Sequence, residues 1–174
     1  MTSPKQLLYP LLLLSIITCN SCQFFHSHNQ YSCTPCGYDC DKAFVDHPGK
    51  CPECKMDLVQ SSSIVFKTIG AGRICSYLET HPTTILLDVR TKEEFEGKAS
   101  PDFGTLKNAM NIPVQELGSR LDELYAYKTK EIIVYCSHSH RSPRAAYLLT
   151  QHGFTNIINM EGGMSVMSDP SCKK

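Results

Sequence analysis

Two continuous apolar runs, TILLDV at 84–89 and EIIVYC at 131–136, constrain the fold more than anything else in this sequence. A strand with one face in water alternates apolar and polar residues, whereas a strand buried on both faces reads as an unbroken apolar stretch. Helical stretches separate these runs from neighbouring short apolar ones. Strands that alternate with helices imply a parallel sheet covered on both sides, an α/β architecture. From Ser62 onward the expected order is a strand in SIVFKTI, a helix in GRICSYLET, the TILLDV strand and a short helix in KEEFEG with Thr91 as its N-cap. NAMNIP then gives a strand, SRLDELYAY a helix capped by Ser119, and EIIVYC the third strong strand. Ser142-Pro143 opens a helix that runs to the stop signal His152-Gly153. NIINM is the last strand and GGMSVMS a short terminal helix.

In open parallel sheets ligands bind beyond the carboxyl ends of the strands. EIIVYC ends there at Cys136, and Ser137, His138, Ser139 and His140 lead to Arg141, where a helix starts. Backbone N–H groups of such a loop, with the positive end of the helix, favour a thiolate and make it nucleophilic. Four residues separate the cysteine from the arginine. Phosphate-ester enzymes with this layout use a longer loop, so the tight loop suits sulfur. His138 and His140 are solvated loop residues that can help hold anions when protonated. Asp88 and Arg90 tie their strand to a neighbouring loop, a structural role.

The region 62–170 resembles a rhodanese (sulfurtransferase) domain. The matching blocks are Leu87-Asp88-Val89-Arg90 with the following Thr-x-Glu-Glu-Phe, Asn108-Ala109-Met110-Asn111-Ile112-Pro113, the Cys136–Arg141 loop with Ser142, and Gly153-Phe154 through Met160-Glu161-Gly162-Gly163. The resemblance implies a persulfide on Cys136, formed from a thiosulfate-like donor and passed to a thiol or cyanide-like acceptor, with no catalytic cofactor. Ser137 to His140 would supply the amide cradle and Arg141 would close it. Departures are Ser139 where many members have glycine, GKASPDFGTLK before the Asn-Ala block, and Met167 near the place of a usual tryptophan.

The ten cysteines fall in clusters rather than through the chain, which argues for local chemistry over a disulfide framework. Residues 31–60 hold Cys33-x-x-Cys36 and, after a spacer of 14 residues, Cys51-x-x-Cys54. Two such knuckles bring four thiolates to the tetrahedral geometry of structural zinc. A segment this short needs a staple, which metal supplies; two disulfides are the alternative. This stretch is similar to the small heavy-metal-binding domain of metal export proteins, through Pro48-Gly49-Lys50-Cys51-Pro52, Cys54, Met56 and Leu58. Cys36 stands where that family has histidine, which makes the site all-thiolate and implies tightly held zinc. Cys40, His47 and Met56 are spare candidates, with packing the expected role of Cys40 and Met56. Cys75 and Cys172 read as a buried helix residue and a tail residue, with a resolving role towards Cys136 as the alternative.

Residues 1–21 read as an export signal: Lys5 precedes LLYPLLLLSIIT, too short to span a bilayer but right for a signal core. The stretch resembles a bacterial lipoprotein signal, with Cys19, or alternatively Cys22, as the lipidated residue. Residues 22–30 would be a tether. These features imply an exported protein, held on the cell-envelope or periplasmic side by a lipid anchor. Seventeen basic and 17 acidic residues balance, and no basic stretch stands out, which argues against a nucleic-acid partner. The leading expectation is a sulfurtransferase. Its rivals are a phosphatase or arsenate-reductase-like enzyme, and a binding lipoprotein that holds metal or sulfur with little turnover.

Overall fold

The computed structural model describes residues 29–174, so the signal segment with Cys19 and Cys22 lies outside the described residues. The main unit is a five-stranded sheet built from β3 (Lys67–Gly70), β4 (Ile85–Asp88), β5 (Met110–Asn111), β6 (Glu131–Tyr135) and β7 (Asn156–Glu161). They lie in the order β3-β7-β6-β4-β5, every pair parallel. The two strongest apolar runs thus become neighbouring strands, with Leu87 opposite Val134 and Asp88 opposite Tyr135. One face buries Leu87, Ile132, Val134 and Ile157 against Leu117, Leu121, Leu124, Ala145 and Leu149. The other buries Leu86, Ile133, Tyr135, Ile158 and Met160 against Ile74, Cys75, Met164 and Met167. Burial on both faces is the physical reason these strands need no polar alternation.

Four α-helices flank the sheet: α1 (Ile74–Thr80), α2 (Lys92–Phe95), α3 (Val114–Leu117) and α4 (Ser142–Gln151). Thr91 caps α2 as expected, in a reciprocal box with Glu94. Three segments depart from the expected elements. SIVFKTI contributes a strand only from Lys67, after a 3-10 turn at Ser61–Ser63. SRLDELYAY forms a 3-10 helix at Leu121–Tyr127, and the Ser119 hydroxyl donates back to the Glu116 carbonyl (2.9 Å) instead of capping it. GGMSVMS gives a 3-10 turn at Met164–Val166.

A disulfide joins Cys75 on α1 to Cys172 in the tail, 97 residues apart. Cys75 is the buried helix residue and Cys172 the tail residue expected, but the two are bonded to each other, so neither thiol is free for the alternative role of resolving a species on Cys136. The tail is held further by Lys107 N–H to Cys172 O (2.9 Å) and Lys174 N–H to Thr105 O (2.8 Å). The smaller N-terminal unit is a hairpin of β1 (Tyr31–Cys33) and β2 (Leu58–Gln60), antiparallel, around a core of buried cysteines. No helix among the described residues is long and apolar enough to cross a membrane.

Candidate active site and thiol cluster

Cys136 leaves the carboxyl end of β6 and is 1% exposed. Its thiol donates to the Ser142 hydroxyl at the start of α4 (3.5 Å). The loop is anchored by the residues that follow Glu161-Gly162-Gly163: Met164 N–H donates to Cys136 O and Ser165 N–H to Ser137 O, both at 2.9 Å. Gly163 permits this. Its φ is +68°, and a Cβ there would sit 2.3 Å from the Ser137 carbonyl oxygen. Among the described residues, the N–H groups of Ser137, His138, Ser139, His140 and Arg141 donate to no other group. Consecutive amides left uncommitted beside a sulfur can receive an anion.

Glu94 of α2 was not singled out from the sequence, yet it organises the loop. Arg141 grips it with two bonds, Nη1 to Oε2 (2.6 Å) and Nη2 to Oε1 (2.7 Å). Ser137 Oγ donates to the same carboxylate (2.7 Å) and accepts from Arg141 Nη2 (3.2 Å). Hydrogen bonding from Arg141, against a contrary effect of burial and with help from Thr91 and Ser137, holds the Glu94 carboxyl down at about 2. Arg141 therefore fastens the loop to α2. The capping-box pattern Thr91-x-x-Glu94 is the sequence signal by which this carboxylate could have been found.

Beneath the loop, Asp88 and Arg90 form a buried pair, Nε to both carboxylate oxygens at 3.0 Å and Nη2 to Oδ2 at 2.7 Å. Arg90 also donates to Gly104 O (2.9 Å) and Thr105 Oγ1 (3.1 Å), which ties β4 to the GKASPDFGTLK segment. His138 and His140 are exposed; His138 meets Phe103 edge-on, with ring centroids 5.2 Å apart, and His140 stacks on Tyr38.

In the smaller unit five thiols converge. Cys33, Cys40, Cys51 and Cys54 bring their sulfurs within 4.8 Å of one another. Cys33, Cys36 and Cys40 with Asp41 form a second such group, so Cys36 and Cys40 both lie in the cluster. The 3-10 turn Asp39–Lys42 carries Cys40 inward, while the Cys36 thiol donates to Asp41 Oδ1 (3.1 Å) and lies 3.5 Å from Cys40 Sγ. Asp41 also accepts the N–H groups of Cys36 (2.9 Å) and Gly37 (2.7 Å), which shapes the first knuckle. Cys33 and Cys54 sulfurs are 3.0 Å apart. Burial pushes the Cys33 thiol up; the Cys54 thiol falls to about 7 despite burial, because Cys33 and its neighbours stabilise its charge. An all-thiol tetrad suits a soft or borderline cation. Met56 packs on the cluster, whereas His47 is exposed, its Nδ1 3.1 Å from the Pro48 carbonyl.

A five-stranded parallel sheet with a cysteine loop at its carboxyl edge, beside a thiol cluster, defines the class: a cysteine-loop α/β protein carrying a metal-binding module. Residues 76–169 match the rhodanese-like domain, and the chain belongs to that family. Residues 45–60 match the heavy metal binding domain. The uncharacterised protein YqhL of Bacillus subtilis (strain 168) is 41% identical over 78 residues, 45% of this chain and 56% of that protein. A tRNA uridine(34) hydroxylase of Hamiltonella defensa is 27% identical over 118 residues, 61% of this chain and 32% of that protein. The chain thus spans little more than half, or less, of these relatives. A crystal structure of a rhodanese-like domain protein from Staphylococcus aureus aligns with a TM-score of 0.52 at 25% identity, covering 62% of this chain and 97% of that one.

Proposed function

We propose that the chain is a sulfurtransferase that moves a sulfane sulfur through a persulfide on Cys136. The Cys136 thiolate attacks the outer sulfur of a thiosulfate-like donor; the new S–S bond forms as the donor's own S–S bond breaks, and sulfite leaves with the electron pair. A thiolate or cyanide acceptor then attacks the outer sulfur of the persulfide, and Cys136 departs as thiolate. The run of uncommitted amides from Ser137 to Arg141, directly following the buried Cys136 in the chain, carries this reading. They can hold donor and persulfide as anions, and they are in place before the reaction. Glu94, Arg141 and Ser137 keep the loop in that shape. The Ser142 hydroxyl stands 3.5 Å from the Cys136 sulfur at the start of α4. The test is thiosulfate-to-cyanide transfer by the full chain against Cys136→Ser. Turnover should fall to background in the variant, and a variant with full turnover would refute the assignment.

The thiol tetrad fits structural zinc, with Cys33, Cys40, Cys51 and Cys54 as ligands and Cys36 beside them. Such an ion would staple the small hairpin, which lacks the apolar area to hold itself. One zinc per chain is expected in reduced protein, and Cys40→Ser should cost more zinc than Cys36→Ser. The reverse ranking would restore the paired C-x-x-C assignment. An exported, lipid-anchored location, through Cys19 or Cys22, is supported by the Cys75–Cys172 disulfide, a bond typical of oxidising compartments. Small-molecule donors and acceptors fit the net charge of zero, with no nucleic-acid partner.

A further inference from the structure

The two units meet at the sulfur loop itself. Gly37, which follows the first knuckle, lies against Ser139: a Cβ on Gly37 would stand 1.9 Å from the Ser139 carbonyl oxygen and 3.1 Å from the His140 Cα. Both partners are in the left-handed region, Gly37 at φ +75° and Ser139 at φ +63°. That conformation is unfavourable for a residue with a Cβ, so the surroundings of Ser139 must hold it. Next along, the Tyr38 ring stacks on His140, centroids 4.2 Å apart and planes within 15°. The dipeptide that makes both contacts sits between two cluster thiols, Cys36 and Cys40, whose sulfurs are 3.5 Å apart. Asp41, which fixes the Gly37 N–H, also accepts from the Cys36 thiol. The hairpin's exit is tied to α4, the helix that closes the loop, by Ser63 Oγ with Tyr147 Oη (3.3 Å) and by Gln151 Nε2 to Ser63 O (3.2 Å).

We infer that Gly37 and Tyr38 are positioning residues for the Cys136 loop, through Ser139 and His140, so that metal binding at the thiol cluster and anion binding at the loop are coupled. The inference rests on the reading of Cys136 as a sulfur carrier. Metal would draw together Cys33 and Cys40, which flank Gly37-Tyr38 along the chain, and the segment cannot shift without moving the Ser139 carbonyl and the His140 ring. Coupling of this kind is reciprocal: what tightens one site tightens the other.

The test compares the zinc-loaded full chain with Tyr38→Phe and Tyr38→Ala. Tyr38 is 56% exposed, so its loss leaves the core intact. Alkylation of Cys136 by iodoacetamide, followed on its own peptide by mass spectrometry, should quicken about fivefold in Tyr38→Ala, with a matching rise in KM for thiosulfate and a smaller change in kcat. Tyr38→Phe keeps the stacked ring and should behave as the parent. In the opposite direction, His140→Ala should weaken zinc, measured by competition with a chromophoric chelator and without any sulfur donor, by about fivefold or more. The coupling is overturned if Tyr38→Ala leaves Cys136 alkylation unchanged, or if His140→Ala leaves zinc affinity unchanged. Absence of thiosulfate turnover in the parent, with both other shifts present, would remove the sulfur-transfer reading and leave the coupling standing.

Discussion

Glu94 shows how much one carboxylate can organise. It accepts from Arg141, Ser137 and the Thr91 N–H together, so three segments are referred to a single side chain. Its pKa in the folded chain, about 2, lies below the ordinary 4.5. A depressed carboxylate favours the folded state above its unfolded pKa, and that contribution fades as pH falls from about 4.5 towards about 2. The loop should therefore loosen in that acid window. Glu94→Gln should flatten this part of an acid-unfolding curve and reduce sulfur transfer at neutral pH; a variant with the parent's acid profile and turnover would deny Glu94 this role. Sequence patterns marked Cys136 and the cap at Thr91, because each is announced by its neighbours along the chain. Glu94's hold on Arg141 joins residues 47 apart, and no local pattern encodes it.

Strands and helices were legible where burial leaves a periodic or continuous mark. β4, β6 and β7, the capped helix α2 and the proline-started helix α4 follow from their apolar runs and end signals. SRLDELYAY is 3-10, and its Leu121 and Leu124, three residues apart, both reach the core as the three-residue turn allows. The first strand is short, since only Lys67–Gly70 lies beside β7. Cysteine pairing escaped the sequence for the same non-local reason: Cys75 and Cys172 meet only once the tail has returned to α1. Closing so long a loop restricts the unfolded chain, and typical bonds of this kind contribute about 2–4 kcal/mol. Cys75→Ser with Cys172→Ser should lower thermal stability accordingly without altering thiosulfate KM. Unchanged melting would show that the bond adds nothing to the fold.

The described residues join a cysteine loop to a cluster of thiols. A rhodanese-like sheet presents Cys136 on a loop of uncommitted amides, and a hairpin packed around thiols abuts that loop at Gly37 and Tyr38. Composition announced each unit separately. Their contact could not be foreseen, because it depends on how Ser139 and His140 project from a folded loop. The entry of Cys40 into the thiol cluster is likewise a consequence of the Asp39–Lys42 turn, which two C-x-x-C pairs in a sequence do not disclose. The central claim is that Cys136 carries sulfur. The most direct measurement is intact-mass and peptide analysis of the reduced full chain after exposure to thiosulfate. The expected result is the added mass of one sulfur atom on the Cys136 peptide, lost on treatment with cyanide and absent in Cys136→Ser. No added sulfur on that peptide, or sulfur carried equally by the Cys136→Ser chain, would contradict it.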